Sequence, residues 1–98
     1  MLRAMLLVMI TSVPSAGVEK FAAYEMAVLQ LLGRHGGKLE RRLRHVAGDG
    51  GWKEVHLVRF EAAEGFVAYR ADPARAEHAG LLEGCGAVFE VLAVEDVE

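Results

Sequence analysis

Three segments of the chain have large apolar residues at consecutive positions rather than at every second position. They are residues 1–10 (MLRAMLLVMI), 55–60 and 88–94. Side chains on a β-strand point alternately to its two faces, and a sheet with one solvent-exposed face normally alternates apolar and polar residues. The pattern therefore predicts strands that are apolar on both faces.

The stretches between these strands have helical and turn patterns. Residues 16–35 have apolar side chains at i, i+3, i+4 and i+7, which is typical of a helix that packs on one side. Gly36 and Gly37 end this helix, and Asp72-Pro73 begins a later one, because Asp is a good N-cap and Pro suits the first helical position. In chain order the predicted elements are strand 1–10, helix 16–35, strands 38–46 and 53–61, helices 62–71 and 73–83, and a last strand that includes residues 88–94.

This order of elements predicts one α+β domain that spans residues 1–98. Strand, helix, strand, strand, helix, strand is the ferredoxin-like βαββαβ motif, a four-stranded antiparallel sheet with helices on one face. Exposing six or more large apolar side chains on the other face would cost on the order of 10 kcal/mol. We therefore expect the sheet face to pack against a second copy in a homodimer. The alternative is a monomer in which the extra helix 73–83 covers that face.

Charge and composition exclude some partners. The formal net charge of −3 argues against nucleic-acid binding, which usually requires a basic excess. No apolar run reaches the roughly 20 residues of a membrane span, and the run that follows Arg3 is short for a signal peptide. A lone cysteine, Cys85, cannot form an internal disulfide, which suits a reducing compartment. We expect a cytoplasmic protein that contacts neither nucleic acid nor membrane.

Several motifs resemble the dimeric α+β barrel superfamily. The end of the first helix, LGRHGGK at residues 32–38, is similar to the "l..hGGk" element of that superfamily. Residues 54–69 resemble its strand, phenylalanine and helix succession, and Ala71-Asp72-Pro73 resembles its "spDP" element. The resemblance covers residues 5–95 and is closest to the antibiotic-biosynthesis monooxygenase-like group and to the uncharacterised family numbered 1330. Where that family has an aromatic residue after the proline, this chain has Ala74-Arg75-Ala76.

The resemblance implies a dimeric α+β barrel but not one activity, because a fold does not determine function. We expect the protein to bind a small, partly apolar molecule between helices and sheet, without a cofactor or metal. One alternative that the resemblance offers is a cofactor-independent monooxygenase or isomerase, with His56 or His35 as the base and Tyr24 or Arg59 orienting the substrate. The other is a structural or interaction module that has no pocket. Whether the protein is an enzyme stays open.

Candidate ligand-binding residues follow from side-chain type and predicted position. Tyr24, Trp52 and Tyr69 could line a pocket, since such sites are mostly apolar with a few polar groups; the helix tyrosines could equally be core residues. Arg59 lies on a strand predicted to be central, where arginine is seldom buried without a partner. It could bind an anionic group of a ligand, or form a salt bridge to Glu25, Glu40 or Glu61.

The hairpin of strands 38–46 and 53–61 gives a further candidate pair. If the residues that face each other have numbers that sum to 101, His45 lies opposite His56. Arg42, Arg44 and Arg59 then share the other face, and this register separates polar from apolar residues. The two histidines could transfer protons or bind a metal, or they could simply pack at the subunit interface. The sequence has no metal-binding spacing such as HxH or CxxC.

Overall fold

The structure, a computed structural model, describes residues 3–97. Four strands form one antiparallel sheet: β1 (Met5–Val13), β2 (Gly37–Val46), β3 (Trp52–Phe60) and β4 (Val88–Val94). Three α-helices are present in this part of the chain: α1 (Val18–Leu29), α2 (Ala63–Arg70) and α3 (Pro73–Glu77). The strand order is β2-β3-β1-β4, with every neighbouring pair antiparallel. The predicted α+β, ferredoxin-like βαββαβ fold is confirmed.

The helices lie on one face of the sheet, which we call the covered face. Leu7 of β1 and Val58 and Phe60 of β3 pack there against residues of the helical segments. Alternation places the covered-face residues at odd positions of β1 and at even positions of β3. The core that results consists of Leu7, Leu31, Leu32, Val58, Phe60 and Tyr69.

The opposite face, which we call the open face, has many apolar side chains beside some charged ones and has no helix of residues 3–97 against it. Leu43, Val88 and Leu92 on this face are 49%, 67% and 44% exposed. The shortest principal extent of the molecule is 16 Å, which leaves room for one sheet and one layer of helices, since a helix with its side chains is about 10–12 Å across. The third helix therefore does not cover this surface. The apolar side chains of the open face are those of Leu6, Val8, Ile10, Leu43, Val55, Leu57, Val88, Leu92 and Val94.

The first strand is shifted relative to its predicted range of 1–10. It runs to Val13, where we expected a turn, because Thr11 and Val13 pair with Glu54 and Trp52 and are buried on the covered face. Pro14 ends the strand, since proline has no backbone N–H to donate. Residues 1 and 2 of the predicted strand lie outside the described residues.

The two longer helices predicted for 16–35 and 73–83 are both interrupted. The first consists of a short 3₁₀ turn at Ser15–Gly17, then α1, then a second 3₁₀ turn at Leu32–His35. The left-handed Gly36, with φ of 72°, ends it as predicted. In the last helical region, α3 ends at Glu77 and a 3₁₀ turn follows at Ala79–Leu81. The Asp72 side chain accepts the Ala74 N–H, as expected of an N-cap.

The predicted register of the β2–β3 hairpin is wrong. Leu39 lies opposite Val58, a β-bulge follows, and from there His56 lies opposite Arg42 and His45 opposite Lys53. We had assumed that the polar residues of the hairpin share one face and the apolar residues the other. This assumption is wrong, because charged residues form ion pairs on both faces of the sheet. Arg42 and Arg44 join Glu54 and His56 on the covered face, whereas Arg59 pairs with Glu40 on the open face.

Candidate functional site

A cavity of about 410 Å³ lies between the helices and the covered face. This volume is within the usual range for sites that bind small molecules. The apolar part of its lining consists of Met9, Phe21, Val28, Leu29, Phe66, Leu82, Phe89 and Val91. The polar part consists of Thr11, Tyr24, Glu25, His56, Tyr69, Arg70, Arg75 and Glu90.

Two regular elements place most of the important side chains. Along α1, Phe21, Tyr24, Glu25 and Val28 have the i, i+3, i+4, i+7 spacing of one helix face, and all four are buried. Along β3, Glu54 and His56 point to the covered face because they are two residues apart. The polar groups of the cavity are therefore fixed by helix and strand geometry rather than by flexible loops.

His56 is bonded to two buried carboxylates. Its Nε2 lies 2.7 Å from Glu54 Oε1 and 2.9 Å from Glu25 Oε2. Two arginines of β2 complete the cluster: Arg42 donates to both carboxylates at 3.2 Å, and Arg44 donates to Glu54. We call these five residues the ion-pair cluster. Its arginines balance its carboxylates, so that protonation of His56 makes it positive overall.

The cluster changes the titration of its members. Burial alone would raise the pKa of Glu54, but hydrogen bonds from the neighbouring side chains, that of His56 foremost, outweigh burial and lower it to about 2. Burial alone would lower the pKa of His56, but the carboxylates of Glu25 and Glu54 outweigh burial and raise it. The imidazolium form of His56 is therefore more populated than that of a free histidine at the same pH, and this form donates a proton.

A second polar group of the cavity is built around Arg75 of α3. A terminal nitrogen of its guanidinium donates to the Tyr24 hydroxyl at 3.1 Å, and the guanidinium carbon lies 4.6 Å from the centre of the Tyr69 ring. Tyr69 donates its own hydroxyl to the Val28 carbonyl at 3.3 Å. Burial raises the pKa of the Tyr69 phenol, so it stays protonated at neutral pH.

By ligand type, Glu25, Glu54 and His56 could hold a metal ion, because one donor atom of each lies within 4.8 Å of the others. The carboxylate oxygens, however, already accept hydrogen bonds from Arg42 and Arg44. Two guanidinium groups in contact with the donors oppose a divalent cation by charge repulsion. The geometry is better suited to an ion-pair network than to a metal centre.

Of the residues predicted to form a site, the structure brings three together. Tyr24, His56 and Tyr69 all line the cavity. His35 does not line it: its Nε2 lies 2.7 Å from Asp72 Oδ2, which lowers the pKa of that carboxyl and ties the end of the first helical region to the start of α3. A catalytic role for His35 in this cavity is therefore unsupported.

The other three predicted residues lie elsewhere. Arg59 is on the open face, where its Nε donates to Glu40 at 2.8 Å, one of the salt bridges expected as the alternative to ligand binding. His45 and Trp52 border a separate surface groove near the β2–β3 hairpin. The Arg44 guanidinium stacks 3.6 Å from the centre of the Trp52 ring. His45 and His56 point to opposite faces, so the predicted histidine pair is wrong.

Sequence reasoning missed four residues that matter here: Glu25, Glu54, Arg42 and Arg75. Glu25 could have been found, because it falls within the apolar stripe of α1, where a carboxylate needs a partner. Glu54 could have been found from its two-residue spacing to His56. The contacts of Arg42 depend on the bulge in β2, for which the sequence has no signal that we recognise.

No family model matches the sequence, and no curated protein matches it significantly. Solved structures do match the fold. SnoaB, a cofactor-independent oxygenase from Streptomyces nogalater, aligns over 96% of this chain and 95% of its own, with 16% identity and a TM-score of 0.67. RPA0582, a protein of unknown function from Rhodopseudomonas palustris, aligns over 97% and 86% with 20% identity and a TM-score of 0.66.

A putative antibiotic biosynthesis monooxygenase from Caulobacter crescentus also aligns, over 94% of this chain and 92% of its own, with 9% identity and a TM-score of 0.65. Within the described residues, no helix has the length and apolar character to cross a membrane. At these low identities the similarity establishes architecture alone. The chain has the ferredoxin-like α+β fold that antibiotic-biosynthesis monooxygenase-like proteins share, as its motifs predicted.

Proposed function

We propose that this protein binds a small, partly apolar molecule in the cavity between its helices and its sheet. The observation that supports the proposal is the composition of the cavity wall, in which aliphatic and aromatic side chains, those of the two tyrosines included, form the larger part and polar groups form the rest. This is the usual make-up of a ligand site. A core filled by its own side chains would have favoured a structural module instead.

Binding can be tested with a neutral two-ring probe such as 2-naphthamide, followed by calorimetry. Val91→Trp should abolish binding, because Val91 lines the cavity and is 48% exposed, so that the larger side chain can be accommodated without unfolding. Val67→Trp is the matched control, since Val67 on α2 is 65% exposed and lies outside the cavity lining. Equal binding by both variants would contradict the proposal. Native mass spectrometry of freshly isolated protein would show whether a natural ligand is retained.

The ion-pair cluster favours one second candidate, a cofactor-independent enzyme of the monooxygenase or isomerase kind. His56 borders the cavity, and its raised pKa makes it a proton donor toward an enolate or phenolate of the substrate. Glu25 also borders the cavity and bonds to His56. His56 would then act as an acid first, rather than as the base that the resemblance implied. Loss of turnover in His56→Gln with unchanged ligand binding would support this role.

We also propose that two copies pair through their open faces. The support is the number of large apolar side chains that this face exposes, Leu43, Val88 and Leu92 among them, since a large exposed apolar surface usually marks an interface. Charged residues such as Lys38, Glu40 and Arg59 share the face with the apolar side chains and could pair across the interface. Sedimentation at micromolar concentration should give twice the mass of one chain, and a monomer would contradict the proposal.

A further inference from the structure

Arg75 is an unusual residue in the cavity wall. It is half-buried, one terminal nitrogen donates to Tyr24, and the other lies 3.4 Å from the Arg70 carbonyl. Its Nε is fully buried and has no hydrogen-bond partner in residues 3–97. A buried donor without a partner costs free energy, so the environment of Arg75 is incomplete in the absence of a further acceptor.

The charge of Arg75 is also unbalanced. Four other arginines of the described chain have carboxylate partners: Arg34 pairs with Asp72, Arg42 and Arg44 with Glu54, and Arg59 with Glu40. Arg3, Arg41 and Arg70 have none within residues 3–97, but they are exposed, whereas Arg75 is half-buried. None of the ion pairs within residues 3–97 includes Arg75. Arginine keeps its proton at any accessible pH, and a partly desolvated cation is stabilised by an anion. The nearby carboxylate of Glu25 already bonds to His56 and Arg42.

We infer that the cavity takes an apolar molecule bearing a carboxylate, and that Arg75 binds this carboxylate. The inference rests on the proposed function, which it makes more specific. The Arg75 guanidinium is a planar, forked donor that fits the two oxygens of a carboxylate, and each terminal nitrogen has a second N–H beside the contact that it already makes. The Tyr24 hydroxyl accepts a hydrogen bond from Arg75, and its own proton remains free to donate to the same anion.

The rest of the cavity fits the remainder of such a molecule. Tyr24, Tyr69 and Arg75 border the same space as Met9, Phe66 and the other apolar lining residues. A ligand anchored at Arg75 therefore keeps its hydrocarbon part in contact with aromatic and aliphatic side chains. Orientation of a ligand by a few placed polar groups beside a larger apolar surface is how small-molecule sites commonly obtain specificity.

The test compares two probes of nearly equal shape, 2-naphthoate and the neutral 2-naphthamide, by calorimetry at pH 7. Wild-type protein should bind the carboxylate about tenfold more tightly, a difference of about 1.4 kcal/mol, because a hydrogen bond to a charged acceptor is stronger than one to a neutral amide. Arg75→Gln should reduce this preference to less than about twofold and leave binding of the amide unchanged. Arg75→Lys, which keeps the charge but loses the fork, should retain part of the preference.

Arg34→Gln is the control for a change of net charge, because Arg34 is exposed, pairs with Asp72 and lies outside the cavity lining. It should bind both probes as the wild type does. If Arg75→Gln does not fold, Tyr24→Phe takes its place and should lower the preference for the carboxylate. Equal binding of the two probes by wild type, or a preference that survives Arg75→Gln, would overturn the inference while the cavity still binds the amide. Failure of wild type to bind either probe would overturn both the inference and the proposed function.

Discussion

The two faces of the sheet are made from the same strands but differ in how deeply their side chains are buried. On the covered face, Val58 and Phe60 are inaccessible to solvent, and even the charged Glu54 is fully buried among His56 and two arginines. On the open face, Leu57 is only half-buried, and the Glu40–Arg59 pair remains in contact with water. Adjacent residues of one strand thus have opposite environments, and substitutions at neighbouring positions should have very different effects.

The largest effect is expected from Val58→Asp. Val58 has no exposed surface and packs between β1 and the helical segments. An unpaired carboxylate at this position costs several kcal/mol, a large part of the 5–15 kcal/mol that stabilises a typical domain. We expect loss of the cooperative unfolding transition in circular dichroism. A melting temperature like that of the wild type would show that β3 does not face the helices at this position.

A smaller but still large effect is expected from Glu54→Gln. The substitution keeps the side-chain size but leaves Arg42, Arg44 and His56 without their main carboxylate partner. Removing one member of a buried ion pair typically costs about 3–5 kcal/mol. Urea denaturation should show this as a lower midpoint. An unchanged midpoint would mean that the cluster contributes little to stability.

Leu57→Asp tests the open face, one residue away from Val58. The side chain points to the open face, so we expect the protomer to fold while the proposed dimer dissociates. Sedimentation of the variant should give the mass of one chain where the wild type gives twice that mass. A dimer that survives this substitution would rule out pairing through the centre of the open face.

The pH dependence of stability should separate the ion-pair cluster from the rest of the molecule. The pKa of His56 is raised in the folded state, so its stabilising contribution is complete below about pH 6.5 and is lost as pH rises through the folded-state pKa. The pKa of Glu54 falls from 4.5 to about 2, so its contribution is present above 4.5 and is lost as pH falls toward 2.

Urea midpoints measured between pH 6 and pH 9 would show the contribution of His56. The stability of wild type should decline across this range, and that of His56→Gln should change less. His45→Gln is the matched control, because His45 is exposed on the open face. If the decline in stability disappears in His45→Gln but remains in His56→Gln, the group that causes it is His45 on the open face, and the prediction for His56 is wrong.

The smallest effect is expected from Glu40→Gln. This change breaks the ion pair with Arg59, whose side chain is 45% exposed. Surface pairs contribute about 0–1 kcal/mol, so in monomeric protein the urea midpoint should hardly change. The difference between the stability lost in Glu54→Gln and that lost in Glu40→Gln measures how much more a buried carboxylate depends on its partners than an exposed one. Similar losses in both variants would contradict the distinction between the two faces.

The sequence predicted some of the cavity residues, but few of the contacts that depend on strand register. Tyr24 and His56 were identified as cavity candidates, and both line the cavity. His45 was not placed correctly, because the bulge after Leu39 shifts the partners along the hairpin and reverses which side chains share a face. A one-residue change of register moves every side chain to the opposite face, and polarity alone could not choose between registers when both faces contain charges.

The sequence by itself determined the order of elements, the three strands that are apolar on both faces and the surplus of apolar surface on the sheet. These follow from local periodicity and from turn residues such as Gly36 and Asp72-Pro73, which act within a few positions along the chain. Only the tertiary structure decided that Glu25 and Glu54 meet at His56 and that Arg75 reaches Tyr24 from 51 residues away. Such contacts join distant segments, and their partners are chosen by packing and charge compensation in three dimensions rather than by any pattern along the chain.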